Sequence, residues 1–399
     1  MIRQRLKQIP LARDVNAFLR GYQQHWKALG TQASYELIAQ VRGLQPPSGA
    51  ALRSALRARV AKRRAGRPAK RLGEMHIFLT FPLSNWEAIL PRALAPFGRV
   101  TTFEWRSAGF DDRKPDWLDH RDEMNREMLR AFEAANRESP VDAVVAYVSG
   151  ANTSPETLQT MAAGGAVIFN FCLDDTLWFP EEKYGGRYLS PAAIAHVVDL
   201  NLTSAPASVV KYAVHGGLAM FHPEAAHPEV HRPYDVPFDL DVSFVGASYG
   251  WRPKFLQALA QRGVRVECFG RGWPNGPLSD EDMVRLYSRS RINLGFGAIG
   301  HSRNLLHLKG RDFEVPMSGG LYLTQFNPEL HHVFELGHEI LTFRGADDCA
   351  ATIRGLLADP ERAERIRRAG HARALRDHTY QTRWSKVFEL AGLLEEEPT

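Results

Sequence analysis

The stretch GRDFEVPMSGGLYLTQFNPEL, from Gly310 to Leu330, decides how this chain is read. It predicts a helix over Lys309 to Ser318 carrying Arg311 and Glu314, a tight turn at Gly319 and Gly320, and a buried strand over Gly320 to Gln325. Glycine in such a turn lets a backbone come close to a ligand with no Cβ in the way. A carboxylate there can accept hydrogen bonds from sugar hydroxyls, and a guanidinium can fork onto phosphate oxygens. The same spacing also suits an ordinary helix–glycine–strand connection, and the stretch by itself leaves both readings open.

Outward from this block, strand and helix patterns alternate. Strands are predicted over 241–247, 264–270 and 291–297, helices over 252–262 and 279–289, and a last strand over 338–343. Helices over 347–357, 360–375 and 380–394 close the chain. A similar series precedes it: strands over 75–81, 100–105, 141–150, 166–175 and 199–205, with helices over 86–97, 116–136, 154–163 and 206–215. Regular alternation of this kind argues for parallel sheets covered by helices on both faces. The expected fold class is therefore α/β with two Rossmann-like domains, over 73–220 and 240–378, joined by the proline- and histidine-rich segment 221–239.

The first 72 residues differ. They hold 16 Lys and Arg against only Asp14 and Glu36, a balance of +14, and the chain total of +5 leaves −9 for residues 73–399. Val15, Phe18, Leu19 and Tyr22 space as one helical face, and Tyr35, Leu37, Ile38 and Val41 as another, so 1–72 is expected to be a basic helical extension. The run Arg53, Arg57, Arg59, Lys62, Arg63, Arg64, Arg67, Lys70 and Arg71 suits a solvated face or linker, and also a contact with anionic lipid or an acidic partner. No nucleic-acid motif accompanies the charge, so nucleic acid is not an expected partner.

Other features set bounds. No run is long and apolar enough to span a bilayer, and the N-terminus lacks the apolar segment of a secretory signal. Cys172, Cys268 and Cys349 have neither metal-ligand spacing nor a disulfide count, so a cytoplasmic location is expected. His222, His227 and His231 in the proline-rich segment are expected at the surface, and no metal site is expected.

In open parallel sheets, ligands bind beyond the carboxyl ends of the strands. In the second series those positions are Gly246 to Ser248, Gly270-Arg271-Gly272-Trp273, Gly295 to Gly297 and Gln325 to Asn327. Glycine there serves close approach to a ligand or simple turning. Arg252 opens a helix after the Gly246 loop, where a helix N-terminus and a guanidinium would act together on a phosphate. In the first series Asp174 and Asp175 end the fourth strand, and Asn85, Glu104 and Tyr147 also fall near strand ends. An acid at a strand end can act as general base or simply cap a helix turn.

Six segments in order resemble the nucleotide-sugar domain of GT-B glycosyltransferases, and most of all the CgeB-type bacterial group. They are VSFVGASYGWRPKFLQAL (242–259), VECFGRGW (266–273), RLYSRSRINLGFG (285–297), RDFEVPMSGGLYLTQFNPEL (311–330), FELGHEILTF (334–343) and HTYQTRW (378–384). In the first half the resemblance rests on FNFCLDDTLWF (169–179) and LTSAPASVVKYAVHGG (202–217). It implies a transferase that takes its sugar from a nucleotide diphosphate, with Glu314 on the ribose hydroxyls and Arg252, Lys309 or Arg311 on the diphosphate. It further implies that Gly319 and Gly320 form the turn beside the diphosphate and that Gly270 to Trp273 lie by the nucleobase. Related retaining enzymes carry a second glutamate eight positions before the first; here that residue is Leu306, and His301 and Arg303 could supply polar contacts instead. Asp174 or Asp175 would touch the transferred sugar, no metal would be required, and residues 379–399 would cross back to the first domain. Two rival readings remain: a non-catalytic binding or assembly protein of this fold, and a nucleotide-sugar epimerase.

Overall fold

A computed structural model describes residues 10–64, 66–82, 89–179, 183–184 and 187–396. The chain divides into two compact units: an N unit of Gly30–Pro223 and Gln381–Thr399, and a C unit of Met1–Leu29 and Glu224–Tyr380. The elements of the chain's first half are α1 (Pro10–Val41), α2 (Gly49–Ala61), β1 (Met75–Thr80), α3 (Leu90–Leu94), β2 (Gly98–Phe103), α4 (Trp117–Glu138), β3 (Ala143–Ala146), α5 (Pro155–Ala163) and β4 (Val167–Cys172). A small hairpin, β5 (Lys183–Tyr184) with β6 (Arg187–Tyr188), precedes β7 (Leu200–Thr203), α6 (Val209–Val214) and β8 (Ala219–Phe221).

The N unit is built on a six-stranded parallel sheet in the order β2-β1-β3-β4-β7-β8. Its central strands are buried along their whole length because helices cover both faces. Phe78, Val144 and Ile168 pack with Met124, Met128 and Phe132 of α4 and Leu158 and Met161 of α5. Phe97 and Phe169 meet Phe388 at ring separations of 5.0 and 5.7 Å. Phe388 belongs to the last helix, α12 by its place in the chain (Tyr380–Leu390), where it stacks on Trp384 at 5.4 Å. The predicted helix over 86–97 is seen from Leu90; residues 86–88 and Asn85 lie outside the described residues.

The basic run is a solvated face only in part: Arg57, Lys62 and Arg71 are exposed. Leu52, Leu56 and Val60 bury the apolar side of α2, and three of the arginines work inward. Arg64, 7% exposed, pairs with Asp142 at 3.4 Å, and Arg63 pairs with Asp199. Arg59 donates to the carbonyls of Val198 at 3.0 Å and Gly216 at 2.9 Å. Asp142 and Asp199 stand just before β3 and β7, where they accept from the His76 N–H at 3.0 Å and the Ile168 N–H at 2.8 Å. Two carboxylates thus satisfy unpaired donors at the sheet's amino edge, and arginines of the extension neutralise them.

The C unit holds β9 (Leu240–Val245), α7 (Arg252–Ala260), β10 (Glu267–Phe269), α8 (Asp280–Arg289), β11 (Ser290–Gly295), α9 (Gly310–Met317), β12 (Tyr322–Gln325), β13 (Leu341–Phe343), α10 (Ala346–Ala358) and α11 (Pro360–Asp377). Its five parallel strands run β10-β9-β11-β12-β13. Phe244 meets Phe296 edge-on at 4.9 Å, and Phe255 stacks on Phe343 at 5.0 Å.

The histidine-rich segment corrects one expectation. His222 and His231 are buried, not at the surface. His222 lies edge-on to Phe171 at 5.4 Å, and the His231 Nδ1 accepts from the His227 N–H at 3.0 Å. Proline-rich sequence reads as exposed because it forgoes backbone donors. Here the segment is buried only in part: His231 lies beside Glu314 of α9 and Pro233 stands where a Cβ on Gly319 would come within 3.0 Å, while Arg232, Asp235 and residues 237–239 are exposed.

Candidate functional site

At the carboxyl ends of β9 and β10 the glycines admit backbone to backbone. A Cβ on Gly270, whose φ is +125°, would stand 2.5 Å from the Gly246 carbonyl oxygen. The Gly246 N–H donates to Phe269 O at 2.8 Å, the Ser248 N–H to Arg271 O at 2.9 Å, and the Trp273 Nε1–H to Gly246 O at 2.7 Å. Gly246, Ser248, Gly270, Arg271 and Trp273 therefore come together, and these glycines are explained by the crossing of two strand ends without any ligand. Gly319, with φ +70°, stops α9, while a Cβ on Gly320 would strike Asn293 at 2.7 Å and Val315 at 2.8 Å. Both turn glycines thus pack against the protein itself.

Two guanidinium groups share one ring. Arg252 lies 5.6 Å and Arg311 5.9 Å from the centre of Phe244, at the end of β9. Arg252 is 5% exposed, stacks over Tyr249 at 4.3 Å and donates to Ala247 O at 3.1 Å. Burial pulls it down to about 10, and the like charge of Arg311 works the same way, so at neutral pH it stays a cation. Among the described residues it has no ion-paired carboxylate. Burial also works against the Arg311 charge, but Tyr322, Tyr287, Glu314 and Asp312 outweigh it and hold that guanidinium above its ordinary value. Holding two like charges together in low dielectric is costly unless an anion joins them. Arg252 is also the first residue of α7, where free N–H groups favour negative charge.

Glu314 lies one helical turn beyond Arg311 on α9. Burial, only partly offset by Arg311, lifts its carboxyl from 4.5 to about 7. His231 Nε2 is 4.0 Å from Glu314 Oε1. Because its Nδ1 accepts a hydrogen bond and burial lowers it to about 4, His231 is neutral and turns its Nε2–H toward the carboxylate. Asp312 is structural, since it accepts from the Lys309 N–H at 2.7 Å, closing the first turn of α9, and from the Tyr322 hydroxyl at 2.7 Å. Lys309 is the N-cap of that helix. On the loop after β11, His301 is half-buried and Arg303 exposed, with its guanidinium 6.0 Å from the Trp251 ring centre. Leu306 pairs with Ala298 in an antiparallel bridge.

In the N unit, a cavity of about 440 Å³ opens at the carboxyl ends of β3 and β4. Asp174 and Tyr147 line it, together with Asp112, Asn152 and Trp178. Burial raises the Asp112 carboxyl, an effect partly offset by a hydrogen bond from Asn152. Asp175 is not part of this wall. It is fully buried and accepts from the Tyr212 hydroxyl at 2.9 Å, while Lys211 donates to its carbonyl at 3.0 Å. Glu104 is exposed and lies outside the lining. Asp112 was not singled out from the sequence and His231 was assigned to the surface, because each reaches its site from a stretch without strand or helix periodicity. Their one signal was a polar residue in a loop after a strand or between prolines. Among the described residues no three His, Cys, Asp or Glu side chains gather as a metal site would need, and no helix is long and apolar enough to cross a membrane.

Two parallel Rossmann-like sheets in one chain are the architecture of the GT-B fold. Residues 252–389 match a family model described as glycosyl transferase-like. Among solved structures the chain is similar to sucrose-phosphate synthase from Thermosynechococcus elongatus, with 12% identity and a TM-score of 0.55 over 79% of this chain and 98% of that one. It is also similar to HepE from Anabaena, solved with UDP and glucose, with 13% identity and a TM-score of 0.54 over 79% and 98%. A third is a Listeria monocytogenes protein described as a candidate UDP-N-acetylglucosamine 2-epimerase, with 12% identity and a TM-score of 0.50 over 79% and 95%. No curated protein matches the chain by sequence.

Proposed function

We propose that the protein is a glycosyltransferase of the hexosyltransferase type, akin to the CgeB-like bacterial group, that takes its sugar from a nucleotide diphosphate donor. The observation that carries this reading is the pair Arg252 and Arg311 around Phe244, one buried and one half-buried cation at a strand end and a helix N-terminus. A diphosphate would supply the negative charge that Arg252 lacks, and the pair's charge would stabilise the departing nucleotide as the glycosidic bond breaks. Glu314, one turn further on, would accept from ribose hydroxyls as a carboxylate. The binding of UDP and glucose by HepE supports a donor of this class. In the N unit, Asp174 and Asp112 are the acids placed in a cavity, and one of them would take the proton of an acceptor hydroxyl.

Calorimetry with a panel of nucleoside diphosphates tests the donor site. Arg252→Ala is expected to weaken the preferred nucleotide about 10- to 100-fold, the loss of a charge-assisted hydrogen bond. Glu314→Ala is expected to weaken a ribonucleotide but not inorganic diphosphate, and unchanged affinity in both variants would overturn the assignment.

The reading as a non-catalytic binding protein is kept open by one observation: Leu306 stands where retaining relatives carry an acid, and it is tied into a backbone bridge. Interconversion of a free nucleotide sugar without any acceptor would select the epimerase reading instead. Slow donor hydrolysis would set aside a purely binding role.

A further inference from the structure

Helix α1 turns an apolar face to water. Phe18, Leu19, Tyr22, Trp26 and Leu29 follow one side of it and are 71%, 50%, 56%, 56% and 44% exposed. Another side of the same helix is held by protein. Gly21 lies so close to the loop after β11 that a Cβ would stand 2.4 Å from the His301 carbonyl oxygen. The Gln24 Oε1 accepts from the His301 N–H at 2.8 Å, and Ala28 is buried. A helix that has already buried one side, yet leaves three aromatic rings and two leucines in water on another, carries an apolar patch that calls for a partner.

Charge indicates which partner. Residues 1–29 contain Arg3, Arg5, Lys7, Arg13, Arg20 and Lys27 against the single acid Asp14. Arg20 and Lys27 are exposed on the same helix as the apolar face. Aromatic rings with a polar edge settle at the level of lipid headgroups, and basic side chains beside them are drawn to an anionic surface. A second observation agrees. Phe18 and Tyr22 also form part of the wall of a cavity of about 210 Å³, whose lining includes Lys254 and Arg303. His25 Nδ1, His301 Nδ1 and Trp251 Nε1, on the same lining, are buried without a hydrogen-bond partner. Aromatic walls, cations and unsatisfied ring nitrogens suit a phosphate attached to an apolar molecule.

We propose that the Phe18–Leu29 face of α1 docks on an anionic bilayer, with a lipid headgroup phosphate received in the adjoining cavity. This goes beyond the transfer reading and stands without it. The arginines of the basic run are not the proposed lipid contact, since Arg59 in α2 and Arg63 and Arg64 after it are engaged within the N unit, and Arg53 and Arg57 pair with Glu396.

The test is co-sedimentation of the full chain with vesicles of phosphatidylcholine alone or mixed with phosphatidylglycerol. Binding to the anionic vesicles is expected to exceed that to neutral ones about tenfold and to fall sharply at about 0.5 M salt. Leu19→Ser/Trp26→Ser/Leu29→Ser should abolish it with an unchanged melting temperature. Arg20→Glu/Lys27→Glu, which leaves the apolar face whole, should lower it as well. Indifference to both vesicle types overturns the proposal, as does equal binding to both. So does a wild-type dimer that the triple variant disperses, since the face would then cover a second copy.

Discussion

At the scale of single residues, Glu314 carries the clearest consequence. Its carboxyl is lifted from 4.5 to about 7 by burial. The folded protein therefore holds that proton more tightly than the unfolded chain, and stability falls as pH rises from about 4.5 to 7. A shift of this size corresponds to about 3 kcal/mol of instability above pH 7, absent below the unfolded value. His231, lowered to about 4, acts in the opposite sense between pH 4 and 6.5, so the two are separated by comparing variants. Urea denaturation at pH 8 and pH 5 is expected to show Glu314→Gln stabilising the protein at pH 8 and leaving it nearly unchanged at pH 5. Nucleotide affinity of the wild type should weaken as pH drops through 7 and become flat in that variant. Glu314, Arg311 and Arg252 were legible because helix periodicity and position after a strand place them without help from distant residues. Asp175 was not: its neighbour Asp174 reaches the cavity, while one residue on the carboxylate turns inward to Tyr212, and adjacency in sequence cannot tell the two apart.

At the scale of elements, α2 shows where pattern reading ends. Alternating apolar and polar stretches reported most strands and helices to within a few residues, because each buries a face whose period is its own. The run from Arg53 to Arg71 shows a helical face only through Leu52, Leu56 and Val60, and the meaning of its charges depends on Asp142 and Asp199, far along the chain. The strand β8 was missed for a related reason: three residues after a glycine pair offer too short a pattern. Removing one partner of the buried Arg64–Asp142 pair strands the other charge. Arg64→Met is expected to cost about 3–5 kcal/mol, with much of it recovered in the double variant Arg64→Met/Asp142→Asn. Differential denaturation of the three chains checks this, and additive losses would mean that the pair is not coupled. Trp384, 2% exposed on α12, fills the N unit's core against Phe169 and Phe388. Its replacement by alanine is expected to cost about 3–5 kcal/mol.

At the scale of the whole molecule, two parallel sheets were legible from the two α/β series, but the chain's route was not. Residues up to Leu29 belong with the C unit and those from Gln381 with the N unit, so each unit is assembled from two separate lengths of chain. Helical periodicity says that a segment has a face to bury and is silent on which sheet receives it. Ending the chain at Tyr380 is therefore expected to unfold the N unit, whose sheet would lose Trp384 and Phe388; circular dichroism and protease resistance of the truncated chain would register it. The same route sets a timetable on the ribosome. Once Pro223 has emerged, all six strands of the first sheet exist, yet the aromatic rings that cover Phe97 and Phe169 are still to be made. At about 5–20 residues per second the sheet waits on the order of ten to thirty seconds with that face bare. The first unit is therefore complete only when the last helix has been made, and its folding cannot be finished before the second unit's chain has been synthesised.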